Sequence, residues 1–180
     1  MRSPLTVSHS GRLPSGCAWL NTTLDRGAAV AGTITDRLNQ IAKELADKQL
    51  KVGFIDGATY PDGTKVAQVA FENEYGVPER RQPPRPFFRN AISEHQDEWK
   101  DAIGRGIRAG YPVAQVLEQI GALAASDVYT SITQLMEPPI SARTIRERQE
   151  RGNMSTKPLV DTKVMINSVS YEVRNLDGTE

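Results

Sequence analysis

Cysteine is nearly absent. Cys17 stands alone among 180 residues, so no disulfide can form within the chain and a reducing compartment is expected. Histidine is almost as scarce, with only His9 and His95. One thiol and two imidazoles give no zinc-ligand spacing, and neither a metal nor any other cofactor is expected. Aromatic residues make up 6% and form no stacking repeat of the kind that binds single-stranded nucleic acid. Charge of one sign is not in excess, since 22 basic residues face 22 acidic ones. No net field therefore draws the whole molecule to nucleic acid or an anionic membrane. Long apolar runs are missing too. None approaches the roughly 18 residues that cross a bilayer, and no apolar core of signal-peptide length follows Arg2. A soluble chain with no membrane partner is the expectation.

Catalytic constellations are equally thin. Cys17 sits in the N-terminal arm, and a Cys–His nucleophile pair would need that arm to fold back. His95, between Glu94 and Asp97, reads as an exposed helix residue. "GRGIRAG" (104–110) lacks the spacing of a dinucleotide fingerprint and follows no strand. No apolar segment forces two carboxylates together. The expectation is that the chain is not an enzyme.

The residues that are present describe an α+β fold. It is a helix-dominated single domain with a small antiparallel sheet, long central helices and an extended N-terminal arm. Residues 1–32, rich in Ser, Gly, Pro and Thr at their start, read as an extended or disordered arm. Residues 33–176 form the domain, with a polar loop over 137–158 and a tail over 177–180. Within the domain, Leu38, Ile41, Leu45 and Leu50 follow helical spacing behind Thr35 as N-cap. "KVGFID" (51–56) alternates as a strand, and Pro61-Asp62-Gly63 suits a tight turn. Val66, Val69, Ala70 and Asn73 share one side of a helix that stops at Gly76, a C-cap residue.

Pro83, Pro84 and Pro86 remove three backbone donors and exclude regular structure over 78–86. A helix then starts near Pro86 or Phe87 and carries Phe88, Ala91, Ile92, Trp99, Ile103 and Ile107. Gly104, Gly106 and Gly110 weaken its far end by about 1 kcal/mol each, a loss that a close backbone contact could offset. The helix over 111–136 has the strongest core stripe: Val116, Ile120, Leu123, Val128, Ile132 and Leu135. Asp161 or Thr162 can cap a short turn, and "SVSYEV" (168–173) alternates as a strand able to pair with 51–56.

Taken in order, "VGF", the Pro-Asp-Gly turn, "VAQVAFENEYG", "PPRPFFRNA", "PPIS", "KPLVDT" and "SVSYEV" resemble the tail-completion and head–tail joining proteins of the gene product ten family of phage HK97. The resemblance runs over residues 36–174. That family commonly has glycine after the Asp-Thr pair, where Lys163 stands here. The resemblance implies a virion structural protein of the neck or tail end, made in the host cytoplasm. It implies action as a homo-oligomeric ring against other neck and tail proteins (connector, tail terminator or tube), with incidental contact with channel DNA. A tail terminator that stops tube polymerisation, or a nucleic-acid-binding accessory protein, are the alternatives.

Several stretches are interface candidates. Asn73, Glu74, Tyr75 and Gly76 form a corner in which Tyr75 either anchors a neighbour or closes the helix onto the core. Pro84, Arg85 and Pro86 form a stiff strap. It either holds a neighbouring subunit, with Arg85 free to grip a carboxylate bidentately, or merely inserts Phe87 and Phe88 into the core. Arg80, Arg81, Arg85 and Arg89 make a basic patch open to phosphate contact. Arg143, Arg146 and Arg148, with Arg151, alternate with Glu147 and Glu150 as a solvated face or an intersubunit salt-bridge strip.

Overall fold

The computed structural model describes residues 20–55 and 57–176, and of residues 20–31 the helical backbone alone. The chain divides into two compact units, Met1–Lys43 and Glu44–Glu180.

Helix α1, Leu20–Ala46, supplies the described part of the first unit and crosses the boundary expected at 32–33. The extended arm is therefore helical from Leu20 onward, and its remainder lies outside the described residues. Thr35 sits inside the helix and does not cap it. After Pro14 no proline interrupts the segment, and Gly27 and Gly32 cost only about 1 kcal/mol each relative to alanine. Ile34 and Leu38 keep more than half of their surface exposed.

The second unit is helix-dominated α+β. Strand β1, Lys48–Gly53, pairs antiparallel with β2, Ser170–Asn175, in the register Lys48↔Asn175 to Gly53↔Ser170. The ladder starts earlier than the expected 51–56 and claims Leu50, which the helical spacing had placed in the preceding helix. Leu50 and Val52 alternate with exposed Gln49 and Lys51. Of the expected strand, Phe54 and Ile55 lie beyond the ladder, and Asp56 lies outside the described residues. Two strands alone are marginal in water. Helix α4, Val113–Gln134, packs along both strands and against α3, Phe87–Arg108.

Five of the six stripe residues expected on α4 are buried, and Leu123 is half-buried. Val116 lies against Gly106 of α3, whereas Val128, Ile132 and Leu135 cluster with Phe87 and Ala91 of α3 and with Val66 and Ala70 of α2, Val66–Tyr75. Leu159 and the short helix α6, Val164–Asn167, complete that cluster. Phe87 is fully buried, and Phe54 meets it edge-on at 6.2 Å. Phe88 is half-buried. Farther along α3 the apolar face is thinly covered. Ile92 and Trp99 line a shallow hollow of about 420 Å³ beside Leu50 and Val52. Trp99 Nε1 donates to Asp127 Oδ2 at 2.7 Å. Gly106 has the close approach that offsets its helix cost, because a Cβ there would come within 2.8 Å of Val116 Cγ2.

Two local expectations are corrected. The polar loop of 137–158 contains a helix, α5, Ala142–Glu150, capped by Ser141, whose Oγ accepts from the Thr144 backbone N–H at 3.1 Å. Helix α6 has neither Asp161 nor Thr162 as its cap. Lys163 stands there with φ 62 and no side-chain cap, while Asp161 is held by Arg151 and Asn153.

Candidate functional site: a locked corner and an arginine-lined groove

The Pro-Asp-Gly turn opens the region. Gly63 N–H donates to Tyr60 O at 2.9 Å, and Thr64 N–H donates to Asp62 Oδ1 at 3.0 Å. That bond holds the Asp62 carboxyl below its ordinary value. Helix α2 follows, and its core-facing positions 66, 70 and 74 are Val, Ala and Glu.

Glu74 is 5% exposed, and backbone donors explain its burial. Helix α3 begins after Pro86, which has no side-chain acceptor to offer its first N–H groups. Glu74 reaches across instead. Its Oε2 accepts from Phe88 N–H at 2.9 Å, and its Oε1 from Arg89 N–H at 3.2 Å and Arg89 Nε at 2.8 Å. A carboxylate at a helix N-terminus also meets the positive end of the helix dipole.

Gly76 then turns the chain with φ 78, and a Cβ there would come within 2.8 Å of Gln82 O and Pro84 N. Only glycine fits. Val77 and Gln82 exchange backbone hydrogen bonds around the 3-10 turn Pro78–Arg80. Asn73 completes the lock: its carbonyl accepts from Arg85 N–H at 2.7 Å, and its Oδ1 accepts from Gln82 Nε2 at 3.1 Å.

This arrangement separates the interface candidates by position. Asn73, Glu74 and Gly76 serve the corner itself. Arg85 is 7% exposed and donates from Nε to Pro138 O at 3.1 Å and from Nη2 to Pro139 O at 3.3 Å. The free arginine expected between prolines is therefore buried within its own domain. Arg148 corrects the solvated-strip reading: it is 4% exposed and stitches the 155–160 segment. Its Nη1 donates to Lys157 O at 2.7 Å and Ser155 O at 3.3 Å, and its Nη2 donates to Pro158 O at 3.1 Å. Pro86 is half-buried at the start of α3. Tyr75, Pro84, Arg143 and Arg146 are exposed or half-exposed at the surface.

Tyr75 does not close α2 onto the core, because Glu74 occupies the inward position of that turn. Its ring is 54% exposed, 4.7 Å from the Phe71 ring and 5.0 Å from Arg89 Cζ. Phe71, 64% exposed, was not among the expected interface residues, although its spacing of four from Tyr75 marks them as helix-surface neighbours.

An open groove of about 1150 Å³ runs between the Tyr60–Thr64 turn, the 80–85 loop, α5 and residues 158–163. Burial pushes the Tyr60 phenol above its ordinary value, and the negative charges of Asp161 and Asp62 push the same way. Burial pulls Arg85 below its ordinary value, and the positive charge of Arg148 adds to that. Arg80 pairs with Glu72 at 2.8 Å. Asp161 is shared between Arg151 at 3.2 Å and Arg148 Nε at 3.6 Å.

His95 stacks on Trp99 at 6.3 Å between Glu94 and Glu98. Cys17 and His9 lie outside the described residues. Among the described residues no group of three His, Cys, Asp or Glu could hold a metal ion, and no helix is long and apolar enough to cross a membrane. No protein-family model, curated protein or solved structure matches the chain.

Proposed function

We propose that the chain is a phage virion structural protein of the neck or tail end. It completes the tail or joins it to the head through ring oligomerisation. The observation that carries this reading is the corner at the end of α2. Exposed Phe71 and Tyr75 sit on a turn made rigid by buried Glu74 and Arg85. A pre-organised aromatic pair loses little conformational entropy on docking, and such anchors dominate binding energy at protein interfaces.

Position 163 supports the family resemblance. The chain has lysine where that family commonly has glycine, yet Lys163 adopts φ 62, a conformation glycine takes without strain. The backbone demand that a glycine would meet is thus retained here.

Electron microscopy of lysates from a phage with a stop codon in this gene tests the role. DNA-filled heads beside separate tails of normal length are the expected result. Tails of uncontrolled length would assign tail termination instead, and normal infectious particles would reject both.

A further inference from the structure

The groove has a charge imbalance that the chain as a whole lacks. The molecule is neutral overall, yet six cationic and three anionic side chains line the groove. The anionic side chains are largely engaged. Glu72 is held by Arg80, and Asp161 by Arg151, Arg148 and Asn153. Asp62 is tied to Thr64.

The cations are not matched in the same way. Arg85, buried at the groove floor, meets only the carbonyls of Pro138 and Pro139 and forms no ion pair among the described residues. Arg148 beside it has an Nε with no hydrogen-bond partner among the described residues, 3.6 Å from an Asp161 already shared with Arg151. Arg81 and Lys163, exposed at the rim, also form no ion pair among the described residues. Buried charges are ordinarily paired, because desolvation without a counter-charge is expensive.

We propose that this groove is a docking site for an acidic segment of a protein partner, whose carboxylates supply the counter-charge missing around Arg85, Arg81 and Lys163. The exposed Arg81 offers a planar guanidinium fork that suits a carboxylate, while Arg85, its Nε and Nη2 taken by carbonyls, contributes its unmatched charge from below. The remaining lining favours a peptide over a nucleic acid. Tyr60, Pro61, Pro83, Pro139 and Pro158 give apolar ground for side chains between carboxylates. Glu72, Asp62 and Asp161 interrupt the positive field that a continuous polyphosphate would need. Under the joining role, on which only the identity of the partner rests, the segment belongs to a neighbouring neck or tail protein.

The test is fluorescence anisotropy on the full chain. The probe is a short, capped, labelled peptide of glutamates interspersed with leucine and proline, compared with its glutamine counterpart. The glutamate peptide should bind at least about tenfold more tightly, the value of one charge-assisted hydrogen bond. The double variant Arg81→Asn/Lys163→Asn should remove most of that difference. Asparagine tolerates the left-handed backbone found at both positions, so the variant should melt like the parent. Equal binding of the two peptides, or an unaltered preference in the variant, overturns the proposal. Stronger competition by a DNA duplex or by inorganic phosphate overturns it in favour of a phosphate site. Failure of the joining role reads out elsewhere: the stop-codon phage would then give normal particles whatever the peptide does.

Discussion

Arg89 grips Glu74 twice, from Nε to the carboxylate at 2.8 Å and from Nη2 to the backbone carbonyl at 3.0 Å. The same guanidinium lies 5.0 Å from the centre of the Tyr75 ring. One side chain therefore links the last turn of α2, the first turn of α3 and the exposed aromatic pair. The exposed aromatic pair is thus held in place by groups that lie behind it.

Removing the carboxylate tests that linkage. Glu74→Ala strands two backbone donors of α3 and one guanidinium, and should lower unfolding free energy by about 2–3 kcal/mol. Glu74→Gln keeps an acceptor and should lose only about 1 kcal/mol. Urea denaturation of both variants distinguishes them, and equal losses would mean that the charge, not the capping geometry, matters.

Arg148→Met should destabilise through a different route. The methionine fills much of the space, but the carbonyls of Ser155, Lys157 and Pro158 lose their donors. A loss of about 3 kcal/mol is expected, and Arg148→Lys should recover only part of it because an ammonium cannot span the set. Limited proteolysis should show new cleavage within 151–160, whereas a global loss without local cleavage would argue against a stitching role.

Glu74 and Arg148 also mark where the sequence ceases to be legible. Helices α3 and α4 are legible because apolar periodicity carries them: Val116, Ile120, Val128 and Ile132 fall on one stripe. The β1–β2 pairing is legible only in outline, because Leu50 also fits the spacing of the preceding helix and so hides where the strand begins. Glu74 breaks that logic, since its partners are backbone groups 14 and 15 residues away. No hydrophobic period announces a carboxylate in the core. Helix α5 is hidden for a related reason. "ARTIRERQE" reads as a solvated strip unless one knows that Arg148 turns inward onto carbonyls. Arg85 meets acceptors 53 and 54 residues along the chain, a distance at which spacing carries no signal. The long start of α1 is obscured because Gly27, Gly32 and the threonines suggest a loose segment, although each weakens a helix only slightly.

Lys163 gives a prediction of opposite sign. A non-glycine residue at φ 62 bears a left-handed cost of about 1–2 kcal/mol, partly offset because glycine would loosen the unfolded chain by about 0.4–1 kcal/mol. Lys163→Gly should therefore stabilise the fold by about 0.5–1 kcal/mol, read as a raised thermal midpoint. Lys163→Val, β-branched, should lower it.

Tyr60 predicts a pH effect. Burial, then Asp161 and Asp62, raise its phenol above the ordinary 10.0. The folded state thus favours the neutral phenol, so its contribution is fully present below the unfolded value and is lost as pH rises through the folded one. Ultraviolet titration of the parent minus Tyr60→Phe should show one phenolate step centred above 10.0. A midpoint at or below that value would mean that the groove wall does not bury this ring.

The exposed aromatic pair separates folding from assembly most cleanly. Tyr75 and Phe71 contact each other at i and i+4, a pairing that adds only about 0.2–0.5 kcal/mol to a helix, and both face outward. Phe71→Ser/Tyr75→Ser should leave urea stability within about 1 kcal/mol of the parent. If the corner anchors a ring, sedimentation velocity should show the parent forming concentration-dependent larger species and the variant remaining monomeric under the same conditions. Restoring Tyr75 alone should recover part of the assembly, because its hydroxyl and ring suit a half-wet interface. A variant that assembles like the parent would remove this corner from the interface and shift attention to Arg143 and Arg146.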